Sequence, residues 1–194
     1  MVQTEVEICN MALSRIGEYR IADLSDLSEE AQVCSLFYNQ TRDEVLRDYP
    51  WNFATKRAEL APLSDPNLTP FEYKYQLPTD ALNVITLIDV EGETYEDMDS
   101  EYLVEGRAIH TNISPCGIRY TQKIEDPGLF DSAFVEAFVL KLASKIAFRI
   151  TGDRNTEINM LQQYLTQLPE AKGLDGYESK NKRKKTKYWD EYGG

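Results

Sequence analysis

One histidine and three cysteines are the residues best suited to metal binding or nucleophilic chemistry in this chain. The cysteines, Cys9, Cys34 and Cys116, are far apart in sequence, so they match neither the short ligand spacings of a zinc site nor a disulfide framework. Cys9 and Cys34 fall on the apolar faces of predicted helices, where a cysteine is ordinarily a small core residue. His110 lies in a predicted strand, where a lone histidine is more often a packing residue than a catalytic base. We therefore expect no metal site and no catalytic centre among these four residues.

Acidic residues are the second group that chemistry can use, since paired carboxylates bind divalent cations or act as acid and base in hydrolases. Five of them crowd one stretch: Glu91, Glu93, Glu96, Asp97 and Asp99. The stretch lacks the ligand spacing and central glycine of an EF-hand loop, so we interpret it as a solvated loop, with a cation site as the alternative. The sequence contains no glycine-rich phosphate loop and no nucleophile elbow. It predicts a protein that is not an enzyme and binds no cofactor, with a hydrolase using paired carboxylates as the alternative.

A basic cluster near the C-terminus is the most concentrated charge in the chain. Six of the 21 basic residues lie at positions 180–187, and none of the 33 acidic residues does. The cluster and the aromatic residues after it are Lys180, Lys182, Arg183, Lys184, Lys185, Lys187, Tyr188, Trp189 and Tyr192. We expect a docking arm that binds an acidic protein surface, with the aromatic side chains as anchors. The alternatives are a nucleic-acid-binding tail and a solvated, disordered terminus.

The remainder of the chain is acidic, and the formal net charge is −12 even with the basic cluster included. An acidic body repels nucleic acid, whereas a duplex-binding domain usually has a basic face on its folded core. The composition, 42% hydrophobic and 28% charged, is typical of a soluble globular domain. We find neither an apolar stretch of the ~20 residues that a membrane span needs nor the features of a secretory signal. These properties favour a globular protein with a protein-binding arm.

The elements that would position these residues begin with two amphipathic helices. Thr4 and Glu7 form a capping-box pattern at the start of the first, and Gly17 supplies its C-cap. Ser28 is the expected N-cap of the second helix, and Pro50 ends it.

The middle of the chain has a different apolar period. Apolar and polar residues alternate there, which is typical of half-buried strands. The predicted strands span residues 71–76, 84–90, 102–104, 107–111 and 118–124. Glu105-Gly106 is the expected two-residue hairpin loop. We expect these strands to form one small antiparallel sheet inserted between helices.

A long apolar helix is predicted from Asp131 to Ile150, and we expect it to be the central helix of the core. Its main stripe consists of Phe134, Phe138, Leu142, Ile146 and Ile150. A last helix is predicted up to Pro169, with apolar residues at Ile158, Leu161, Leu165 and Leu168. After Gly173 the sequence has no periodic apolar pattern.

Together these patterns predict an α+β fold that is mainly α: a four-helix bundle with an inserted small antiparallel β-domain and an extended C-terminal arm. The bundle is discontinuous, from residues 1–52 and 127–172. The β-domain spans residues 53–126. The flexible basic arm spans residues 173–194.

Several short motifs occur in an order that resembles the head-to-tail adaptor (connector) proteins of tailed bacteriophages, also called tail tubular protein A. The resemblance covers roughly residues 3–170. Its motifs are ICNMALSRIG at 8–17, Ile21 and Leu24, Ala31-x-x-Cys34-x-x-x-Tyr38, Arg42-Asp43-x-Val45-Leu46, PWNFA at 50–54, Tyr75-x-Leu77-Pro78-x-Asp80 and Asp131-x-x-Phe134-x-x-Ala137.

The resemblance implies a structural role in virion assembly, as a ring of twelve subunits between the portal protein of the capsid and the tail. In such rings the helical part packs against neighbouring subunits, the β-domain faces a tail or nozzle protein, and the C-terminal arm reaches the portal. The implied location is the virion neck, after synthesis in the cytoplasm of the bacterial host. Double-stranded DNA would contact the ring transiently, because a channel lined by carboxylates repels phosphates.

Overall fold

The computed structural model of the protein describes residues 4–88 and 101–180, with side chains described up to residue 168. Four helices and six strands make up this part of the chain. In chain order they are α1 (Glu5–Arg15), α2 (Glu29–Asp48), β1 (Thr55–Glu59), β2 (Tyr73–Gln76), β3 (Ala81–Ile88), β4 (Tyr102–Glu105), β5 (Ala108–Thr111), β6 (Gly117–Gln122), α3 (Ser132–Thr151) and α4 (Arg154–Lys180). No helix in the described ranges is long and apolar enough to cross a membrane.

The fold is a mixed α+β fold, and the prediction of a mainly α four-helix bundle with one small inserted sheet and an extended arm is wrong. The strands form two three-stranded antiparallel sheets, with the orders β1-β6-β3 and β2-β5-β4. Alternation of apolar residues predicts that strands exist, but strand pairing depends on contacts between residues far apart in sequence. The sheet that pairs β1 with β6 joins residues 55–59 to residues 117–121, and no local pattern encodes that pairing.

The first two helices begin as their sequences predict. The Thr4 side chain accepts from the Glu7 backbone N–H, and the Glu7 carboxylate accepts in return from the Thr4 N–H. Gly17 follows α1 with a φ of 81°, a left-handed conformation that glycine adopts without strain. Ser28 caps α2 by accepting from the Ala31 N–H. The predicted caps of both helices are confirmed.

The helical part is organised around α3, against which α1, α2 and α4 all pack. Phe134, Phe138, Leu142 and Ile146 on α3 are fully buried, which confirms its predicted place at the centre of the core. Trp51, which follows α2, is also fully buried, and its indole Nε1 donates to the Val45 carbonyl at 2.9 Å. A buried indole with its N–H satisfied gains apolar burial without an unpaired donor.

The two sheets enclose a second cluster of buried residues, separate from the one around α3: Leu60, Tyr75, Leu77, Ala81, Leu87, Ile109, Cys116, Ile118 and Tyr120. The β4–β5 hairpin turns through Gly106 and Arg107, one residue later than the predicted Glu105-Gly106 loop. Gly106 has a φ of 58°, as two-residue hairpin loops require.

The last helix is longer than its sequence predicts, because α4 continues through Pro169 and ends at Lys180. A proline in a helix interior removes one backbone donor and costs about 3 kcal/mol, so we expected the helix to end there. Residues 173–180 are therefore helical rather than part of an extended arm. The remainder of the predicted arm, residues 181–194, lies outside the described residues.

Candidate interaction surfaces

His110 serves the packing of the second sheet, as predicted. It lies in β5 with 4% of its surface exposed. Its Nδ1 is 2.8 Å from the Asn67 amide oxygen and 3.4 Å from the Thr69 hydroxyl, both in the segment between β1 and β2. Its Nε2 is 3.9 Å from a Glu105 carboxylate oxygen. The imidazole thus ties a long connection to the sheet.

Cys9, Cys34 and Cys116 are buried free thiols. Cys9 on α1 and Cys34 on α2 both belong to the core around α3. The hydrogen bond with Cys34 and burial raise the pKa of Cys9, and burial raises the pKa of Cys116 to about 11. Both of these cysteines therefore remain neutral thiols at physiological pH, and the prediction that Cys9 and Cys34 are core residues is confirmed.

Two of the predicted candidate groups fall partly or wholly outside the described residues. The acidic stretch from Glu91 to Asp99 is one of them, so its interpretation as a solvated loop stays a prediction. Of the basic cluster, Lys180 is the last residue of α4, and the other members lie in residues 181–194. In the part of the chain that the structure describes, no group of three or more His, Cys, Asp or Glu side chains is placed to hold a metal ion.

Arg42 joins the helical part to the segment between β6 and α3. The side chain is almost fully buried, and it donates to the Asn39 amide oxygen at 2.9 Å and to an Asp43 carboxylate oxygen at 2.8 Å. Its Nη2 is also 3.6 Å from a Glu125 carboxylate oxygen, to which Lys123 makes a 2.7 Å ion pair. The hydrogen bond from Lys123, with the charges of Lys123 and Arg42, lowers the pKa of Glu125. These contacts fix where the chain passes from sheet to helix.

Asp80 directly precedes β3 and gathers polar groups from the other two strands of the first sheet, β1 and β6. Its carboxylate accepts from the Tyr120 hydroxyl at 3.1 Å and from the Gln122 amide at 2.9 Å, and the Lys56 ammonium is 3.5 Å away. Burial alone would raise the pKa of Asp80, but the hydrogen bond from Tyr120 and the charge of Lys56 outweigh it and lower this pKa. Burial and the same hydrogen bond raise the pKa of Tyr120 to about 12. The cluster holds β1, β3 and β6 together.

The exposed side of α4 carries an apolar stripe, which we call the α4 stripe: Ile158, Leu161 and Leu165. These side chains are 47%, 38% and 58% exposed. Their spacing of three and four residues places them on one helix face. The other face is held in the core by Met160 and Tyr164, which are buried. A contiguous exposed apolar surface on a fixed helix is typical of a protein–protein contact.

The orientation of α4 is fixed by contacts along its length. The Arg154 guanidinium lies 4.6 Å from the centre of the Phe148 ring, and the Lys141 ammonium lies 4.6 Å from the centre of the Tyr164 ring. The Tyr164 hydroxyl donates to an Asp48 carboxylate oxygen at 2.5 Å. As residue numbers increase on α4, those of its partners on α3 decrease, so the two helices are antiparallel.

Two further exposed leucines, Leu27 just before α2 and Leu36 within it, are together called here the α2 surface. Leu27 precedes the helix with 91% of its surface exposed, and Leu36 lies on the solvent side with 71% exposed. Leu68, 95% exposed in the connection between β1 and β2, is a comparably exposed leucine that belongs to neither surface.

Sequence patterns alone gave no expectation for either surface. Ile158, Leu161 and Leu165 belong to the apolar repeat by which the sequence predicts the last helix, and that repeat does not indicate which of its residues are exposed; Leu27 and Leu36 lie outside the apolar periods of α2. The signal that was available is an excess of apolar residues in α4 beyond a single face: Met160 and Tyr164 fill the core-facing positions, so Ile158, Leu161 and Leu165 are left on the outside.

No known protein family matches the chain, and no curated protein matches it.

Proposed function

We propose that this protein is a structural ring subunit of the neck of a tailed bacteriophage, joining the capsid portal to the tail and forming part of the DNA channel. The observation that carries the proposal is the presence of two exposed apolar surfaces on different helices, the α4 stripe and the α2 surface. A ring is closed by contacts between two different patches of identical subunits, whereas a two-fold dimer uses one patch twice. Two separate patches on one chain are what a ring requires.

The size of the surfaces indicates a weak pairwise contact. Full burial of a leucine or isoleucine side chain contributes roughly 1.5–3 kcal/mol, and about half of each α4-stripe side chain is still exposed. Burying the three of them would then contribute roughly 2–4 kcal/mol, and burying Leu27 and Leu36 roughly as much again. Association costs at least about 4 kcal/mol in lost rigid-body freedom, so an isolated pair of subunits is unstable at low concentration. Ring closure, or a portal that holds several subunits together, compensates for this weakness by raising the effective concentration.

The basic cluster and its aromatic residues form the portal-binding arm, the two sheets contact a tail or nozzle protein, and the acidic body borders the channel through which double-stranded DNA passes. The protein has no catalytic activity in this role. Its location is the virion neck. The motif residues support the proposal by acting as scaffold: Trp51 fills the core, Arg42 joins helix to sheet, and Asp80 holds three strands together.

Replacement of Leu165 by glutamate tests the ring contact. Because the side chain is 58% exposed, we expect Leu165→Glu to fold normally while placing a charge in the intersubunit contact. Leu68→Glu is the matched control, since it adds the same charge at a site outside both surfaces. Sedimentation velocity over a series of concentrations should show assembly of the wild-type protein and the control, and no assembly of the variant. Equal assembly of all three proteins would exclude the α4 stripe as the contact.

The alternative function, nucleic-acid binding through the basic cluster, is tested separately. A full-length variant with its six basic residues at positions 180–187 changed to glutamine should lose affinity for a purified portal ring, whereas the acidic body should leave even the wild-type protein with little affinity for a fluorescent DNA duplex. If the variant instead binds the portal normally and loses DNA binding, the nucleic-acid function replaces the adaptor function.

A further inference from the structure

The two sheets present four edge strands, and three of them are protected against pairing with another chain. The solvent edge of β1 carries Lys56, Arg57 and Glu59, and charged edges disfavour strand addition. The pairing of β3 is interrupted by two register shifts, which also disfavour addition. The edge of β2 is covered by the preceding segment, through hydrogen bonds from Leu63 N–H to Lys74 O at 2.8 Å and from Gln76 N–H to Ala61 O at 3.0 Å.

Among residues 4–88 and 101–180, nothing gives the fourth edge strand, β4, any of these protections. All four of its side chains are exposed, and three of them, Tyr102, Leu103 and Val104, are apolar, with exposures of 37%, 37% and 43%. It pairs with β5 on one side over its full length. Val104 lies opposite the fully buried Ile109, so the apolar interior of the sheet continues to this edge. An unprotected apolar edge is a template for an added strand.

The charge around β4 selects the kind of strand that it accepts. Glu101 precedes the strand and Glu105 ends it, both are exposed, and β4 contains no basic residue. An added strand with apolar or aromatic side chains between basic residues would fit, because cross-strand aromatic and opposite-charge pairs are favourable. The segment Thr186-Lys187-Tyr188-Trp189 of this chain has that composition, and threonine, tyrosine and tryptophan favour strands.

The course of α4 carries the chain past the start of α3, which follows the strand β6 in the sequence. Because α4 is antiparallel to α3, it runs back towards the start of α3, where the chain enters from β6. At 1.5 Å per residue α4 is about 40 Å long and α3 about 30 Å, so α4 extends about 10 Å beyond the start of α3. Residues 181–194 begin there and span up to about 45 Å when extended. A tethered segment has a high effective concentration at a site it can reach, so the same chain is favoured over a second copy.

We propose that the open edge of β4 binds the C-terminal segment of its own chain, residues 181–194, as an added strand. The lysines are attracted to Glu101 and Glu105, and Tyr188 and Trp189 cover Leu103 and Val104. In the adaptor the portal would have to displace the arm from β4; this consequence rests on the proposed function, whereas the docking itself does not.

The two tryptophans of the chain provide the measurement. Trp51 is fully buried, so its emission should be the same in the wild-type protein and in a Trp189→Phe variant, which contains Trp51 alone. Subtracting the spectrum of the variant from that of the wild type leaves the emission of Trp189. Acrylamide, a neutral quencher, then measures how accessible Trp189 is, with a synthetic peptide of residues 180–194 as the fully accessible reference. We expect Trp189 in the full-length protein to be quenched several-fold less than in the peptide, and part of this protection to be lost at high salt.

Two variants and one control locate the docking site. Val104→Lys adds a charge to the apolar edge, and Glu105→Lys reverses the charge beside it; both should restore peptide-like quenching of Trp189, whereas Leu68→Lys should not. Each of these substitutions is also combined with Trp189→Phe, so that the emission of Trp51 alone reports whether the core is folded. Peptide-like quenching in the wild-type protein would overturn the proposal, and so would protection that both β4 variants leave intact. Protection that disappears when the protein is diluted to monomers would assign the segment to a second copy and overturn the same-chain assignment.

Discussion

Replacement of Phe138 by alanine is the sharpest test of where the core of this protein lies. Phe138 is fully buried on α3, and its ring centre is 5.0 Å from that of Tyr38 and 5.8 Å from that of Phe134. Truncation removes the transfer free energy of the ring and leaves a cavity that neighbours on different helices fill only in part. We expect the free energy of unfolding to fall by about 3–5 kcal/mol. That is a large share of the roughly 5–15 kcal/mol that stabilises a typical domain.

Phe148→Ala in the same helix is the matched control. Phe148 is 45% exposed, and its clearest partner is the Arg154 guanidinium on the ring face, so we expect its truncation to cost no more than about 1.5 kcal/mol. Urea unfolding, followed by circular dichroism and by tryptophan emission, measures both losses, with the slope m checked for constancy. If Phe138→Ala fails to fold, Phe138→Leu gives a smaller loss that can still be measured. Equal losses for the Phe138→Ala and Phe148→Ala variants would show that the core has been misplaced.

Three further predictions concern polar contacts. Tyr164→Phe removes the hydrogen bond to Asp48 and should lower the free energy of unfolding by about 1–2 kcal/mol, whereas Tyr19→Phe, at an 85% exposed position, should not change it. The fold lowers the pKa of Asp80, so the ionised carboxylate stabilises the folded state above the ordinary carboxyl pKa of about 4. This stabilisation is lost as the pH falls through the lowered pKa. Asp80→Asn should therefore make the free energy of unfolding fall less steeply on the acid side. The pKa of Tyr120 is raised to about 12, so its neutral hydroxyl stabilises the folded state below the ordinary tyrosine pKa of about 10, and this stabilisation is lost as the pH rises from about 10 through 12. Tyr120→Phe should therefore make the free energy of unfolding fall less steeply on the alkaline side. Urea titrations across pH would refute either assignment if the variant and the wild type gave parallel curves.

Local patterns in the sequence predict the elements whose signals are local. The caps at Thr4 and Ser28, the core stripe of α3 and the strand around His110 follow from hydrogen-bonding residues and apolar periods within a few positions of each other. The structure places these elements as predicted because short-range sequence chemistry determines them.

Features that depend on distant residues were missed or wrongly predicted. The sequence predicts one sheet and the structure has two, because the β1–β6 pairing joins residues about sixty positions apart. Pro169 was expected to end α4, whereas the helix continues past it. The hydrogen bond between Tyr164 and Asp48 joins residues 116 positions apart, and neither residue type signals it. The exposed stripe depends on which side of α4 packs into the core, and Met160 and Tyr164 occupy that side.

The most direct test of the central claim, that identical subunits form a ring through the α4 stripe and the α2 surface, is the assembly state of the purified full-length protein against concentration. Sedimentation velocity gives the mass of the assembly, and negative-stain electron microscopy of the same samples gives its symmetry. The account predicts 22.3 kDa monomers at low concentration and closed rings at high concentration, of about 270 kDa if twelve subunits close the ring. A protein that stays monomeric at every concentration, or that stops at two-fold dimers, would contradict it.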